Sequence, residues 1–130
     1  MEKSERYRRG LEKSYEFMGH KDNGNVDALG DLGHYIMEFV FGDIYSREGL
    51  PLRDRRIVAL SMLAVTGSTR QLKDHIKFAL NAGFSPKELE EIMIMATVYG
   101  GCPTGWSAVS AFYESLKEWE AAPRSPDGAE

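Results

Sequence analysis

Apolar residues recur along this chain at helical spacing, and no alternating strand pattern survives anywhere in it. Tyr7, Leu11, Tyr15 and Met18 stand at i, i+4, i+8 and i+11, which predicts an amphipathic helix over 4–18. The stretch GHKDNGNVDALG that follows is rich in Gly, Asn and Asp and reads as a loop. Helical spacing returns from about Leu29 to Phe41 through Leu32, Tyr35, Ile36, Phe39 and Val40, with Gly30 and Gly33 weakening the first turn. GDIYSREGLP breaks the pattern. A nearly unbroken apolar run, Ile57 to Val65, comes next. Leu, Met and Ala outnumber its β-branched residues, so it reads as a helix buried on most sides. Pro51 suits the first turn of that helix and Gly67 ends it.

The second half carries sharper punctuation. A helix over 68–82 places Leu72, Ile76, Ala79 and Leu80 inward, with Gly83 just past its end. Ser85-Pro86-Lys87-Glu88 combines an N-cap, a proline at the first helical position and a capping-box glutamate. Its helix runs inward through Leu89, Ile92, Met93, Ala96 and Tyr99 to Gly100-Gly101, with Met93 and Met95 as core fillers. Pro103 opens a last helix with Val109, Phe112, Tyr113 and Leu116 inside. The expected architecture is all-α, about six helices in a single domain over 1–120, with a mobile tail over 121–130.

Composition narrows the classes. At 130 residues, 42% apolar and 28% charged, the chain has globular usage and can bury roughly 65–70% of its unfolded surface. A net charge of −4 without a basic stripe argues against nucleic acid. No apolar run approaches the ~20 residues of a membrane span, and the N-terminus lacks an apolar signal region. The one cysteine, Cys102, excludes an internal disulfide and fits a reducing compartment, so the expected location is the cytoplasm.

The candidate chemistry gathers around the buried run. Glu38, Asp43, Arg47 and the cluster Arg53-Asp54-Arg55-Arg56 precede it, and His75 follows on the next helix. His75 comes three residues after Leu72 and four before Ala79, so it sits on the core face. A carboxylate, a guanidinium and an imidazole drawn toward one apolar core make a cofactor-free acid/base site. The same residues also describe a charged rim, and Arg53, Arg55 and Arg56 suit a solvated or subunit-bridging cluster. His34 and Glu38 are four apart on one helical face. No third metal ligand is in sight, so they read as an i,i+4 pair, and no metal is expected.

Four pieces, EFVFGDIYSREGL (38–50), DRRIVALSMLA (54–64), LKDHIKFALNAGFS (72–85) and VYGGCPTGWSAVSAF (98–112), together resemble the carboxymuconolactone decarboxylase family, which also contains the AhpD-type alkylhydroperoxidases. The resemblance implies an all-α fold whose subunits form rings, often trimers or hexamers. A surplus of aromatics (Tyr7, Tyr15, Trp106, Trp119) fits such contacts. The peroxidase branch carries Cys-x-x-Cys, with a histidine four residues beyond the second cysteine. Ser68 and Gln71 occupy those positions here, so the decarboxylase branch is implied, working on a small molecule without a cofactor.

The resemblance also implies roles. His75 matches the family histidine and would be the general acid, its ordinary pKa near ~6.5 leaving both forms accessible. Arg55 matches the arginine at the start of the buried helix and would hold an oxyanion. Glu38 matches a family glutamate and would orient one of the two. Arg47, from the family's Trp-Ser-Arg-Pro-Gly turn, is the second-choice clamp, with Asp43 and Tyr45 beside it as candidate substrate contacts. Tyr99 and Trp106 are further candidate contacts, though such aromatics more often pack in a core or interface. The chain departs from the family in Gly42–Gly49 and in Thr104-Gly105-Trp106, where decarboxylases tend to have Ala-Ala-Asn. An indole in place of a small amide points to a bulkier or more aromatic substrate. The alternatives to the lyase are a related isomerase or cyclase on such a substrate, and a helical ring that binds without catalysis.

Overall fold

The computed structural model describes residues 2–21 and 24–123, and its elements among these are all helical. The chain divides into two compact units, the second beginning at Arg53. The expected tail lies mostly outside the described residues, the last helix reaching Ala121.

In the first unit, α1 spans Glu5–Met18. Ser4 caps it, its hydroxyl oxygen accepting the Tyr7 N–H at 3.1 Å. The stretch expected to be a loop contains a single turn, α2 (Gly24–Asp27). α3 (Asp31–Tyr35) then runs on as a π-helical segment, Ile36–Ile44, whose i→i+5 bonding ends with the Tyr45 N–H on the Val40 carbonyl at 2.8 Å. α1 packs along this segment at backbone contact. A Cβ on Gly10 would lie 1.9 Å from the Met37 carbonyl oxygen, and one on Gly42 would lie 2.4 Å from that of Arg6. Glycine at both points is what lets the two helices touch.

The buried face of α3 and the π-helical segment differs from the one read from the sequence. Met37, Phe41, Gly33 and Gly42 are buried, whereas Leu32, Tyr35 and Phe39 are exposed. The buried Gly33, Met37 and Phe41 stand at i, i+4 and i+8, on the face where Gly33 and Gly42 allow close backbone approach, and the larger apolar residues Leu32, Tyr35 and Phe39 fall beside it. In α1 the buried face is likewise turned toward Gly10, Ser14 and Phe17, with Tyr7 and Met18 at its ends, because the close approach is made at Gly10.

The second unit holds α4 (Leu52–Thr66), α5 (Thr69–Asn81), α6 (Pro86–Gly100) and α7 (Cys102–Ala121). Leu60 and Ala64 of α4 join Leu72, Ile76, Ala79 and Leu80 of α5, Leu89, Met93 and Ala96 of α6, and Ala108, Ala111 and Phe112 of α7 in one core. The caps match their sequence signals. Ser85 and Glu88 form the reciprocal capping box of α6. Past α5, Gly83 at φ +97 lets its own N–H reach Leu80 and that of Phe84 reach Ala79, a Schellman closure.

Burial corrects three expectations here. Pro51 precedes α4 and does not enter its first turn. α4 is not buried on most sides: Val58, Met62 and Val65, at i, i+4 and i+7, form an exposed apolar stripe, with Met62 63% exposed. Tyr99 and Met95 of α6 and Tyr113 of α7 also face outward, because the inward stripes are narrow and made of small residues such as Ala96, Ala108 and Ala111. Of the aromatics counted as surplus, Tyr7 is core. Trp119 packs partly on the core, its indole N–H donating to Asn81 Oδ1 at 2.8 Å.

Candidate active site

His75 lies beside the buried stripe of α5, between Leu72 and Ile76, and is half-buried. Its Nδ1 is shut off from solvent and its ring leans on Phe78 at 5.5 Å between centroids. Burial, and then the positive charge of Arg56, push its pKa down from 6.5 to about 4. The imidazole is therefore neutral at pH 7, which corrects the expectation that both forms are accessible there.

Arg56 is the residue that reading the sequence passed over. It continues the buried stripe of α4 at i, i+4, i+8 with Leu60 and Ala64, and it is only 5% exposed. That spacing was the available signal; it was hidden because Arg56 reads as part of a charged cluster. The cluster in fact splits by face. Arg55 is only partly exposed. Arg53 is half-exposed, paired with Glu88 and set over the Phe84 ring at 4.2 Å.

The first unit engages its own candidates. Glu38 accepts a hydrogen bond from the Ser4 hydroxyl and pairs with His34 Nε2 at 3.4 Å, both side chains largely buried. His34 in turn stacks on Tyr7 at 4.8 Å. Asp43, expected as a substrate contact, is clasped by Arg6 at 2.6 Å and Arg9 at 3.3 Å. The Arg6 hydrogen bonds hold its carboxyl below the usual carboxylate range. Arg9 also donates to the Gly42 carbonyl at 2.7 Å. Tyr45 packs on Phe17 and Phe41 at 4.8 and 5.3 Å. Arg47 is exposed.

Tyr99 and Trp106, near the turn between α6 and α7, are 82% and 79% exposed and so are not core. Among the described residues no cluster of three or more His, Cys, Asp or Glu could hold a metal ion, and no helix is long and apolar enough to cross a membrane.

An all-α chain with a half-buried histidine on α5 and a buried arginine on α4 is the setting in which the comparisons fall. Residues 30–114 match the model of the carboxymuconolactone decarboxylase family. Over 128 residues the chain is 30% identical to a 4-carboxymuconolactone decarboxylase of Acinetobacter baylyi, spanning 95% of this chain and 96% of that protein. It is 29% identical over 83 residues to a nitrosuccinic acid decarboxylase of Metarhizium robertsii, spanning 64% and 58%. An uncharacterized 15.0 kDa protein of Paracoccus denitrificans shares 30% over 70 residues, 52% of each chain. The chain belongs to the carboxymuconolactone decarboxylase family.

Proposed function

We propose that the protein is a cofactor-free carboxy-lyase acting on a small unsaturated lactone acid or oxo-acid, with His75 as the proton donor to carbon and Arg55 as the clamp on the developing oxyanion. The observation that carries this reading is the half-buried imidazole of His75 beside the buried stripe of α5, its pKa lowered first by burial and then by the charge of Arg56, the neighbour of Arg55 in sequence. The likeness to two decarboxylases of different acids supports the reaction class.

The substrate serves as its own electron sink. The bond to the departing carboxylate breaks, and its electron pair moves through the unsaturation onto the carbonyl oxygen, giving a dienolate. A cation against that oxygen lowers the barrier, by on the order of 2.7–4 kcal/mol for a well-placed contact. A solvent proton bound by His75 in the substrate complex is then delivered to carbon, closing the new C–H bond and returning the imidazole to its neutral form, with CO₂ as the other product. The cation must meet the carbonyl or a spectator carboxylate; gripping the departing group would stabilise the ground state. Glu38 belongs to the proposed set as an orienting residue on the strength of its match to the family.

The working form is a homo-oligomer, a trimer or hexamer. Its support is the exposed apolar stripe of α4 together with Tyr99, Trp106 and Val98, more apolar surface than a monomer usually leaves in water. Light scattering that returned 14.6 kDa at micromolar concentration would remove the oligomer.

The test of the activity is direct. The purified protein is given 4-carboxymuconolactone and, separately, nitrosuccinate, and CO₂ release is followed. Turnover of at least one acid, reduced more than about tenfold in folded His75→Ala and Arg55→Ala, is expected. Release no faster than in buffer from either acid sinks the reading.

A further inference from the structure

The imidazole of His75 is covered unevenly. Its Nδ1 is closed to solvent, yet the residue as a whole is half-buried. The solvent that reaches the residue therefore lies off the Nδ1 edge, and the opposite edge of an imidazole carries Nε2. Phe78 stands three positions further along α5, on the same side of the helix. Its ring centroid is 5.5 Å from that of the imidazole, with the planes tilted by 49°. That is the separation of an ordinary aromatic contact. Phe78 is itself half-buried and stands outside the buried core of this unit, so its ring lies at the rim of the core, against the imidazole.

We propose that Phe78 is a positioning residue for the site: packed against His75, it keeps the Nδ1 edge away from water and makes Nε2 the nitrogen that takes up and delivers the proton. The inference rests on the carboxy-lyase reading and adds the atom through which that chemistry passes. The step balances. In the neutral imidazole the hydrogen is on Nδ1 and the lone pair on Nε2. Nε2 binds one solvent proton in the substrate complex. That N–H bond breaks as the C–H bond forms, and the ring returns to the tautomer in which it began. An Nε2–H tautomer has no such route, because its lone pair would lie on the edge that water does not reach.

The charges around His75 are distinct from this cover. On α5, Lys73 and Lys77 hold Glu118 of α7, and Lys73 also holds Glu114. Asp74 precedes His75 in the same turn. Arg56 of α4 lowers the pKa of the imidazole, second to burial. Replacing Phe78 removes none of these charges, so a change in the imidazole reads the cover.

The experiment is ¹H–¹⁵N NMR of the histidine rings in the whole chain, with His20 and His34 as internal references. At pH 7, where His75 is neutral, the parent should show a protonated, pyrrole-type Nδ1 and an unprotonated, pyridine-type Nε2. In Phe78→Ala water reaches both edges, so the two nitrogens should move toward a mixture of tautomers. The titration midpoint should rise from about 4 toward the ordinary value. The expected rise is about one pH unit, a part of the 3–5 that full burial exerts. Phe78→Leu, an apolar but narrower cover, should move both readings in the same direction by less.

A pyridine-type Nδ1 in the parent at pH 7 overturns the proposal, as does a folded Phe78→Ala with the parent's tautomer and midpoint. Should Phe78→Ala fail to fold, Phe78→Leu takes its place, and readings identical to the parent's overturn the role of Phe78. These spectra read an imidazole and not turnover. Failure of the decarboxylase assay therefore leaves this test intact, and failure here leaves the carboxy-lyase reading standing.

Discussion

The two units of this chain surround their candidate site residues in different ways. In the first, each candidate carboxylate has met its complement: Asp43 between Arg6 and Arg9, Glu38 between Ser4 and His34. In the second, Arg56 is buried and the half-buried imidazole of His75 has its pKa lowered, first by burial and then by that charge. Paired charges hold helices together and change little with solution conditions near neutrality. An imidazole held neutral by burial and by a nearby positive charge changes its protonation only below neutrality. The contrast separates carboxylates with complementary partners from an imidazole whose protonation is altered by burial and by a like charge, a distinction that residue type alone does not make.

Kinetics give the largest expected effect. His75→Ala should lower kcat by about 10²–10⁴, the range for a positioned general acid. Glu38→Gln should lose nearer tenfold, since an amide can still bond with Ser4 and His34. Equal losses in the two variants would erase the contrast. Next in size is Gly10→Ala, whose new methyl collides with the Met37 carbonyl. A thermal melt should show destabilisation of at least about 1–3 kcal/mol, as for overpacking. Gly49→Ala, where nothing lies within 4 Å, should stay close to the parent.

The pH dependence of stability comes third. His75 has its pKa lowered to about 4 in the native chain, so the unfolded state binds the extra proton between roughly 6.5 and 4. Its contribution to stability is whole above pH 6.5, falls as the pH drops toward 4, and levels off below. Denaturant melts of His75→Gln across that window should lose this component of the slope. A slope equal to the parent's would place the acid sensitivity elsewhere. Asp43→Asn should have a smaller effect, a modest fall in Tm that high salt largely hides, because its partners are half-exposed. The smallest effect is expected of Cys102→Ser, no change in turnover. Hydroperoxide reduction should stay at background in both forms, Ser68 and Gln71 lacking the dithiol.

Legibility followed the locality of each signal. The capping box at Ser85, the closure at Gly83 and the inward stripe of α5 depend on a few neighbouring residues and one helical period, and all are visible in the sequence. The π-helical segment depends on a backbone contact between Gly10 and Met37, 27 positions apart in the numbering, which no local pattern encodes. At the site, the position of His75 on the core face was readable from its distance to Leu72 and Ala79. Its protonation state was not, because that depends on burial and on a charge from another helix. Arg56 was hidden by its neighbours: four charged residues in a row look like surface, and only the fold reveals which one turns inward.

The π-helical segment also gives the chain an uneven tolerance to changes in length. A turn closed over five residues carries one more residue than an α-turn, so removing one between Ile36 and Ile44 can be absorbed by rewinding it as ordinary helix. The same deletion within α5 has no such slack. Every residue beyond it would swing by about 100° around the helix axis, carrying Ile76, Ala79 and Leu80 out of the core together. Natural variation by insertion and deletion should therefore concentrate in the winding between Ile36 and Ile44, where a lost residue changes the pitch of one helix and leaves the four-helix core untouched.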